Sequence, residues 1–256
     1  MSPVSSGVPA PRVRARGLSL VAPQLGDEPV RTLLHPLDVD LAEHRVALIG
    51  ANGQGKTTFL RLLGGLAAST SGELTLDGVG WGTHGRRLRG RVGTLFADTA
   101  AQLIMPTVIE DVELSLRPRR LPRAERRRTA FSHLAALGVE RLAERSVYEL
   151  SGGERQLVAL AGLRAAGASL LLADEPTAAL DLVNRDRVAD ALLHQEAALI
   201  VATHDLDLAA ACERVLWIHD GRLVDDGAPD AVVPRYVDAA RGRVPWPVAV
   251  GRDGAP

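Results

Sequence analysis

Short apolar runs alternate with segments of helical periodicity along most of this chain. Three of the runs, at 46–49, 170–173 and 199–202, contain no polar residue. Strands that are covered by helices on both faces have this composition. The segment after the first run carries apolar residues at helical spacing, at positions Phe59, Leu62, Leu63 and Leu66. The pattern predicts an α/β fold with a mainly parallel core sheet.

Two other stretches predict antiparallel structure. Residues 72–78 alternate polar and apolar side chains and end in the turn dipeptide Asp77-Gly78. This favours a small antiparallel β-subdomain beside the core sheet. The run Val215–Val224 is centred on a second such dipeptide, Asp220-Gly221, and predicts a β-hairpin.

Residues from about 99 to 150 have a helical pattern and predict a helical subdomain. Thr107 and Glu110 stand at capping-box spacing, which predicts that one helix begins there. A second helix is expected after Pro122, because proline is favoured near the start of a helix and disfavoured inside one.

The two ends of the chain differ in composition from the rest. Residues 1–11 and 241–256 are rich in Pro, Gly and Arg and show no periodicity, so we predict that they are disordered. Residues 12–240 are long enough for one large core and are predicted to form a single domain. The single cysteine, Cys212, excludes an internal disulfide and fits a reducing cytoplasm.

Each of the three apolar runs ends in polar residues. The first runs into a glycine-rich loop, the second into Asp174-Glu175 and the third into Thr203-His204. Open α/β sheets bind ligands at the carboxyl ends of their strands. The three polar clusters are therefore expected to meet in one site.

Lysine occurs once in this chain, although Lys and Arg together number 30. That residue, Lys56, occupies the lysine position of G-x-x-x-x-G-K-[ST], the phosphate-binding loop of P-loop NTPases. A compact ammonium fits between the β- and γ-phosphates of a nucleotide better than a planar guanidinium. Chance occurrence of a lysine in a glycine-rich turn is the weaker interpretation. The predicted nucleotide contacts are Gly50, Ala51, Asn52, Gly53, Gln54, Gly55, Lys56, Thr57 and Thr58.

The remaining chemistry expected at these strand ends is hydrolysis. Thr57 and Asp174 are expected to hold Mg²⁺, the latter through water, and Glu175 to orient or deprotonate the attacking water. Alone, Asp174-Glu175 would equally suit a solvated strand end.

Leu150–Glu154, with the sequence LSGGE, allows two interpretations. Ser151 and Glu154 stand at capping-box spacing, so the segment could simply begin a helix. Two consecutive glycines weaken a helix start but suit a backbone that closely approaches a phosphate.

Read together, these motifs resemble those of the ATP-binding-cassette ATPases. The quoted segments are 50–58, 150–156, 170–176, 178–181 and 202–204, and their order and spacing match from about residue 12 to 233. The resemblance implies ATP hydrolysis by a head-to-tail dimer, formed with a second copy or a paralogue, that holds two ATPs between its subunits. It implies that Ser151, Gly152, Gly153 and Glu154 face the partner's nucleotide, that Asp181 signals across the dimer, and that His204 contacts the γ-phosphate.

A finer resemblance covers residues 96–117. The residues Phe96, Gln102-Leu103 and Pro106-Thr107-Val108, followed by Glu110-Asp111-Val112, are similar to the ATPases of energy-coupling-factor importers. Those importers take up vitamins or metal ions. The resemblance implies a transmembrane coupling protein, a substrate-capturing membrane protein, and a peripheral location on the cytoplasmic face of the membrane.

Two positions depart from the family pattern. Ala97 stands where the family usually has a glutamine that reaches Mg²⁺ and the attacking water, and Gln102 matches a different position. Ala22 stands where an aromatic ring usually stacks on adenine. We therefore expect the triphosphate to supply most of the nucleotide affinity.

Other functions remain to be weighed against an importer ATPase. One is a nucleic-acid- or ribosome-acting ATPase of the same superfamily, and another is a weakly catalytic nucleotide-sensing subunit. The net charge of −1 provides no general attraction to nucleic acid. An arginine cluster at 117–128 is best interpreted as a solvated helix face, with lipid or an acidic partner as the alternative. No nucleic acid is expected, because no aromatic residue is interleaved with these arginines.

Overall fold

The computed structural model describes residues 9–23, 30–81, 85, 88 and 90–247 of the 256-residue chain. Within these ranges the strands are β1 (Val13–Val21), β2 (Thr32–Leu41), β3 (Arg45–Ile49), β4 (Ser71–Leu76), β5 (Val79–Gly80), β6 (Val92–Leu95), β7 (Leu170–Asp174), β8 (Ala198–Ala202), β9 (Arg214–His219) and β10 (Arg222–Gly227). The helices are α1 (Lys56–Leu63), α2 (Val108–Ser115), α3 (Arg123–Ala135), α4 (Gly152–Ala166), α5 (Leu182–Leu193), α6 (Leu206–Ala210) and α7 (Pro229–Ala240).

The core sheet has the strand order β10-β9-β3-β8-β7-β6. Strands β9, β3, β8, β7 and β6 pair in parallel, and β10 pairs antiparallel with β9 at one edge. All five residues of β3 and all five of β8 are buried, as the apolar runs 46–49 and 199–202 within them predict. The mainly parallel core sheet and the hairpin at Asp220-Gly221 are confirmed.

A second sheet is antiparallel, with the order β2-β1-β4-β5. The turn between β4 and β5 places Asp77 at φ 51° and Gly78 at φ 77°, the left-handed conformation that a tight hairpin requires. The predicted antiparallel element is confirmed, and it is larger than residues 72–78 indicated. Strand β1 alternates buried and exposed residues over Val13–Arg16, because one of its faces covers the core sheet.

The two faces of the core sheet bury different layers. Ala47 and Ile49 of β3 face the layer that contains α2 to α7, whereas Val46 and Leu48 face α1 and the antiparallel sheet. This alternation places the carboxyl end of β3 between the two layers. The loop that follows it is therefore held from both sides.

Two local predictions were wrong. Helix α1 ends at Leu63, and Leu66 lies beyond it with 55 % of its surface exposed, because Gly64 and Gly65 end the helix first. Helix α2 begins after Thr107 as expected, but no capping hydrogen bond forms there. The Thr107 hydroxyl instead donates to the Glu110 carboxylate at 2.7 Å.

The helical segment contains α2 and α3, which pack against α4. Within the arginine cluster, Arg126 and Arg127 form ion pairs with Glu113. Arg127 also pairs with Glu144. The other five arginines of the cluster are exposed, and the role of the cluster stays a prediction.

The predicted ends lie partly outside the described residues, which exclude 1–8 and 248–256. Residues 241–247 are described, and Trp246 stacks on the His219 ring with centroids 4.6 Å apart. Among the described residues, no helix combines the length and hydrophobicity needed to cross a bilayer.

Candidate active site

The phosphate loop connects β3 to α1 and is fixed by the turn between β9 and β10. Gly50 has φ 147°, and a Cβ at this position would lie 2.1 Å from the Ile218 carbonyl oxygen. Only glycine fits such a close backbone approach. The Gly221 N–H donates to the Gln54 carbonyl at 3.0 Å, and the Asp220 N–H donates to Gln54 Oε1. Contacts with the β9–β10 turn therefore define the shape of the loop.

Lys56 begins α1, and its ammonium lies inside the loop. Only 5 % of the residue is exposed. Its Nζ donates to the carbonyl oxygens of Gly50 at 2.7 Å and Ala51 at 3.2 Å, and lies 3.5 Å from Glu175 Oε1. Burial lowers the pKa of Lys56, and the nearby Glu175 carboxylate opposes this effect. The ammonium is therefore a buried cation that could also bind phosphate oxygens of a nucleotide.

Glu175 and His204 come together at the ends of β7 and β8. The Glu175 backbone is left-handed at φ 47°, and its N–H donates to the Ala202 carbonyl at 2.8 Å. Its Oε2 accepts the His204 N–H at 3.1 Å. The His204 ring Nε2 lies 3.2 Å from Glu175 Oε1, 3.1 Å from Lys56 Nζ and 2.6 Å from Asn52 Oδ1. All three strand-end clusters thus meet around one ring nitrogen.

One atom of this network retains an unused hydrogen-bonding capacity. Glu175 Oε1 is buried and receives no well-aligned hydrogen bond, although Lys56 Nζ lies 3.5 Å away and His204 Nε2 lies 3.2 Å away. A carboxylate oxygen of this kind can accept a proton from a bound water.

Thr57 and Asp174 offer oxygen atoms side by side. The Thr57 hydroxyl donates to Asp174 Oδ1 at 3.0 Å. Hydroxyl and carboxylate oxygens are ligands that Mg²⁺ prefers, and this ion commonly takes few protein ligands together with substrate phosphates. One hydroxyl and one carboxylate therefore fit an ion that takes its remaining ligands from water and a nucleotide.

The LSGGE segment begins α4 with a complete capping box. Ser151 Oγ accepts the Glu154 N–H at 3.3 Å, and the Ser151 N–H donates to Glu154 Oε2 at 3.1 Å. Arg141 Nη2 lies 3.0 Å from Glu154 Oε1. Burial raises the pKa of Glu154, but the hydrogen bonds from Ser151 and Arg141 outweigh it and lower the pKa overall. Contacts within the chain thus account for Ser151 and Glu154 as the start of a helix.

The two glycines of this segment have different surroundings. Gly152 is exposed, whereas Gly153 is buried against Asn184 of α5. The N–H groups of Gly152 and Gly153 lie in the first helical turn and have no intrahelical acceptor. In the described part of the chain, no hydrogen bond or ion pair joins 151–154 to the phosphate loop.

Asp181 caps the start of α5 on the surface. Its Oδ1 accepts the Asn184 N–H at 3.0 Å, and its Oδ2 accepts from Asn184 Nδ2 at 2.6 Å. These two hydrogen bonds, first the one from the backbone N–H, lower the pKa of Asp181. Asp181 makes none of the contacts that join Lys56, Glu175 and His204.

The two departures from the family pattern lie at strand ends. Ala97 follows β6 closely, and the Gln102 amide holds this region, accepting the Phe96 N–H at 3.2 Å and donating to the Thr94 carbonyl at 3.0 Å. Ala22 directly follows β1, and its N–H donates to the Arg31 carbonyl at 2.8 Å.

An aromatic cluster beside the site was missed from the sequence. Tyr236 of α7 packs edge-on against Trp217 of β9, and Trp246 lies against both. Burial raises the pKa of Tyr236, and the Glu175 carboxylate raises it further. The sequence feature that could have indicated this cluster is the distribution of aromatic residues. Aromatic residues make up only 3 % of the chain, yet three of them occur between 217 and 246.

The comparisons with known proteins agree with this geometry. The family model described as "ABC transporter" matches residues 34–178. A "Biotin transport ATP-binding protein BioM" of Rhizobium etli is 40 % identical, covering 82 % of this chain and 93 % of that protein. A "Cobalt import ATP-binding protein CbiO" of Rhodobacter capsulatus is 38 % identical, covering 80 % of this chain and 76 % of that protein.

A solved structure extends the comparison to the fold. A dimeric ATP-binding cassette in a post-hydrolysis state, bound to ADP and Pi, superposes with a TM-score of 0.76 at 28 % identity. The superposition covers 85 % of this chain and 98 % of that one. The chain therefore has the P-loop NTPase fold, binds and hydrolyses ATP, and belongs to the ATP-binding proteins of the ABC transporter family.

Proposed function

We propose that this chain is the ATP-hydrolysing subunit of an energy-coupling-factor type of importer. The observation that carries the hydrolytic role is the convergence of Lys56, Glu175 and Asn52 on the His204 ring nitrogen, with separations of 3.5 Å or less. A charge network this close at the carboxyl edge of a parallel sheet suits transfer of a phosphoryl group.

Each residue has a distinct role in the proposed reaction. The loop from Gly50 to Thr58 binds the phosphates through its N–H groups, and Lys56 neutralises the β- and γ-phosphates. Glu175 takes a proton from the water whose oxygen attacks the γ-phosphorus, while the bond from that phosphorus to the ADP oxygen breaks. His204 contacts the γ-phosphate. Thr57, and Asp174 through water, would hold Mg²⁺, which would neutralise phosphate charge.

The second half of each site is proposed to come from another ATPase subunit. The first N–H groups of α4, within Ser151 to Glu154, have no intrahelical acceptor. Within the described residues, they make no contact with the phosphate loop of their own chain. A head-to-tail dimer would place them on the partner's nucleotide, with Asp181 near the partner's loop. One chain carries every motif, so a homodimer suffices, and a paralogue would serve equally.

The membrane partner is proposed to dock where apolar side chains are exposed beside β6. Phe96, Ile104 and Tyr148 are all exposed. The two segments that carry them are neighbours, because the Val147 N–H donates to the Pro106 carbonyl at 3.2 Å. Exposed apolar patches of this kind mark interaction sites. A transmembrane coupling protein would occupy this surface and place the chain at the cytoplasmic face of the membrane.

The proposed cargo is a vitamin or a metal ion, captured by a separate membrane protein. The sequence resemblance over 96–117 and the names of the biotin and cobalt relatives support this proposal. The weakly catalytic alternative draws on Ala97 and Ala22, but both Glu175 and His204 occupy positions suited to catalysis.

The test is Glu175→Gln in the full chain. We expect turnover to fall by at least about 100-fold, because the amide takes up a proton poorly, while ATP binding and ATP-dependent dimerisation persist. Steady-state phosphate release and size-exclusion chromatography measure the two effects. Glu125→Gln, an exposed residue of α3, is the matched control. Undiminished hydrolysis by Glu175→Gln would remove the catalytic role proposed for this carboxylate.

A further inference from the structure

The start of α5 lies directly against the LSGGE helix. A Cβ built on Gly153 would lie 2.7 Å from both Cβ and Cγ of Asn184. Atoms this close leave no room for a side chain, so Gly153 and Asn184 form a tight contact between α4 and α5. Asn184 is itself held in place by Asp181, which accepts hydrogen bonds from its backbone N–H and from its side-chain Nδ2.

The next residue, Arg185, connects α5 to the turn that carries His204. Its Nε lies 3.1 Å from Asp205 Oδ2, and its Nη2 lies 2.7 Å from Asp207 Oδ2. The Asp205 side chain is only 9 % exposed, against 88 % for Asp207. Solvent therefore screens the Arg185–Asp205 ion pair less than the Arg185–Asp207 pair, so Asp205 restricts the position of Arg185 more strongly.

Asp205 is fixed on its other side by the backbone. Its Oδ1 accepts the N–H groups of Asp207 and Leu208, which caps α6. Its own N–H donates to Thr203 Oγ1 at 2.9 Å. The residue between Thr203 and Asp205 is His204. The position of Asp205 therefore sets the position of the His204 backbone, whose N–H donates to Glu175.

We propose that Arg185 is a positioning residue that couples the two nucleotide sites of the dimer through a path inside one chain. The path runs from Gly153 through Asn184 and Arg185 to Asp205, which adjoins His204. It rests on the proposed head-to-tail dimer, in which Gly153 faces the partner's nucleotide and His204 faces this chain's own. Closure on one nucleotide would thus be transmitted to the residues that hydrolyse the other. Within the described contacts, Arg185 touches neither Lys56, Glu175 nor His204, so it acts through Asp205.

The first test is a double-mutant cycle of Arg185→Gln and Asp205→Asn in the full chain. Asparagine caps a helix about as well as aspartate, so Asp205→Asn removes the charge and keeps the cap. We expect each substitution to lower kcat by about tenfold, with KM for ATP changed less than about twofold, and the double variant to be no slower than either single one. Arg185→Lys should restore part of the loss. Arg187→Gln, an exposed residue of the same helix, is the control.

The second test addresses the path from α4. Asn184→Ala should lower kcat and be non-additive with Arg185→Gln, because both act on one path. Normal kcat in Arg185→Gln, or losses that multiply in the double variants, would overturn the proposal. So would a fall in the melting temperature of Arg185→Gln without a fall in kcat, which indicates an ordinary structural ion pair. Glu175→Gln is measured alongside. If it abolishes turnover while Arg185→Gln does not, the coupling proposal fails and the proposed catalytic role of Glu175 stands.

Discussion

The phosphate loop and the LSGGE segment differ in how their polar groups are satisfied. Around the loop, Glu175 and His204 come from two other strand ends, and the His204 ring nitrogen contacts Lys56, Asn52 and Glu175. At the LSGGE segment, Ser151 and Glu154 satisfy each other and Arg141, while the first helical N–H groups have no intrahelical acceptor. The first region is assembled within one chain, as the proposed reaction centre requires. We propose that the second becomes a binding surface only when the partner subunit's nucleotide covers it.

Lys56→Arg should break the first region and have the largest effect. The ammonium is buried and has carbonyl oxygens at 2.7 and 3.2 Å, so a wider guanidinium cannot take its place without displacing the loop. We expect kcat/KM for ATP to fall by at least about 100-fold, as when a key electrostatic group is removed. Steady-state hydrolysis across ATP concentrations measures this.

The matched control for this substitution is Arg61→Lys, which exchanges the same two residue types at an exposed position of α1. It should leave kcat/KM unchanged. If Lys56→Arg keeps more than about a tenth of the activity, charge alone is sufficient at this position and the argument from shape is wrong.

Gly153→Ala should damage the second region while leaving the first intact. The new Cβ would overlap Asn184, which Asp181 holds in place, so the start of α4 must shift at a cost of about 1–3 kcal/mol. We expect turnover to fall by about tenfold or more, with nucleotide binding to the isolated subunit changed by less than about twofold. A fluorescent ATP analogue measures binding, and ATP-dependent dimerisation in the Glu175→Gln background measures the binding surface.

Gly90→Ala is the control, since a Cβ there meets no atom within 4 Å. Equal losses of nucleotide binding and dimerisation in Gly153→Ala would show that the two regions are not separable. That result would also contradict the assignment of LSGGE to the partner's nucleotide.

The same comparison explains what could be predicted from the sequence. The loop, Asp174-Glu175 and His204 each follow an uninterrupted apolar run, and the topology of a parallel sheet brings the ends of such runs together. The contact of Asn184 with Gly153, and that of Arg185 with Asp205, depend on how helices pack, which no local pattern records. The prediction that Leu66 belongs to α1 failed for a related reason. Its spacing fits a helix, but two glycines end the helix before it. The contacts of Trp246 with Trp217, His219 and Tyr236 are likewise tertiary, so the composition of residues 241–256 could not predict them.

Ala22→Tyr should have the smallest effect and sharpen the account of the first region. If the phosphates supply most of the affinity, the unaltered chain should hydrolyse ATP and GTP with kcat/KM values within about threefold of each other. An added ring that stacks on adenine contributes about 0.5–1.5 kcal/mol beyond its buried area, which corresponds to a KM for ATP about 2- to 10-fold lower. Val21→Tyr, one position earlier in β1, is the control for adding a ring. A strong preference of the unaltered chain for ATP over GTP would contradict the prediction, because base recognition would then come from residues other than the one at position 22.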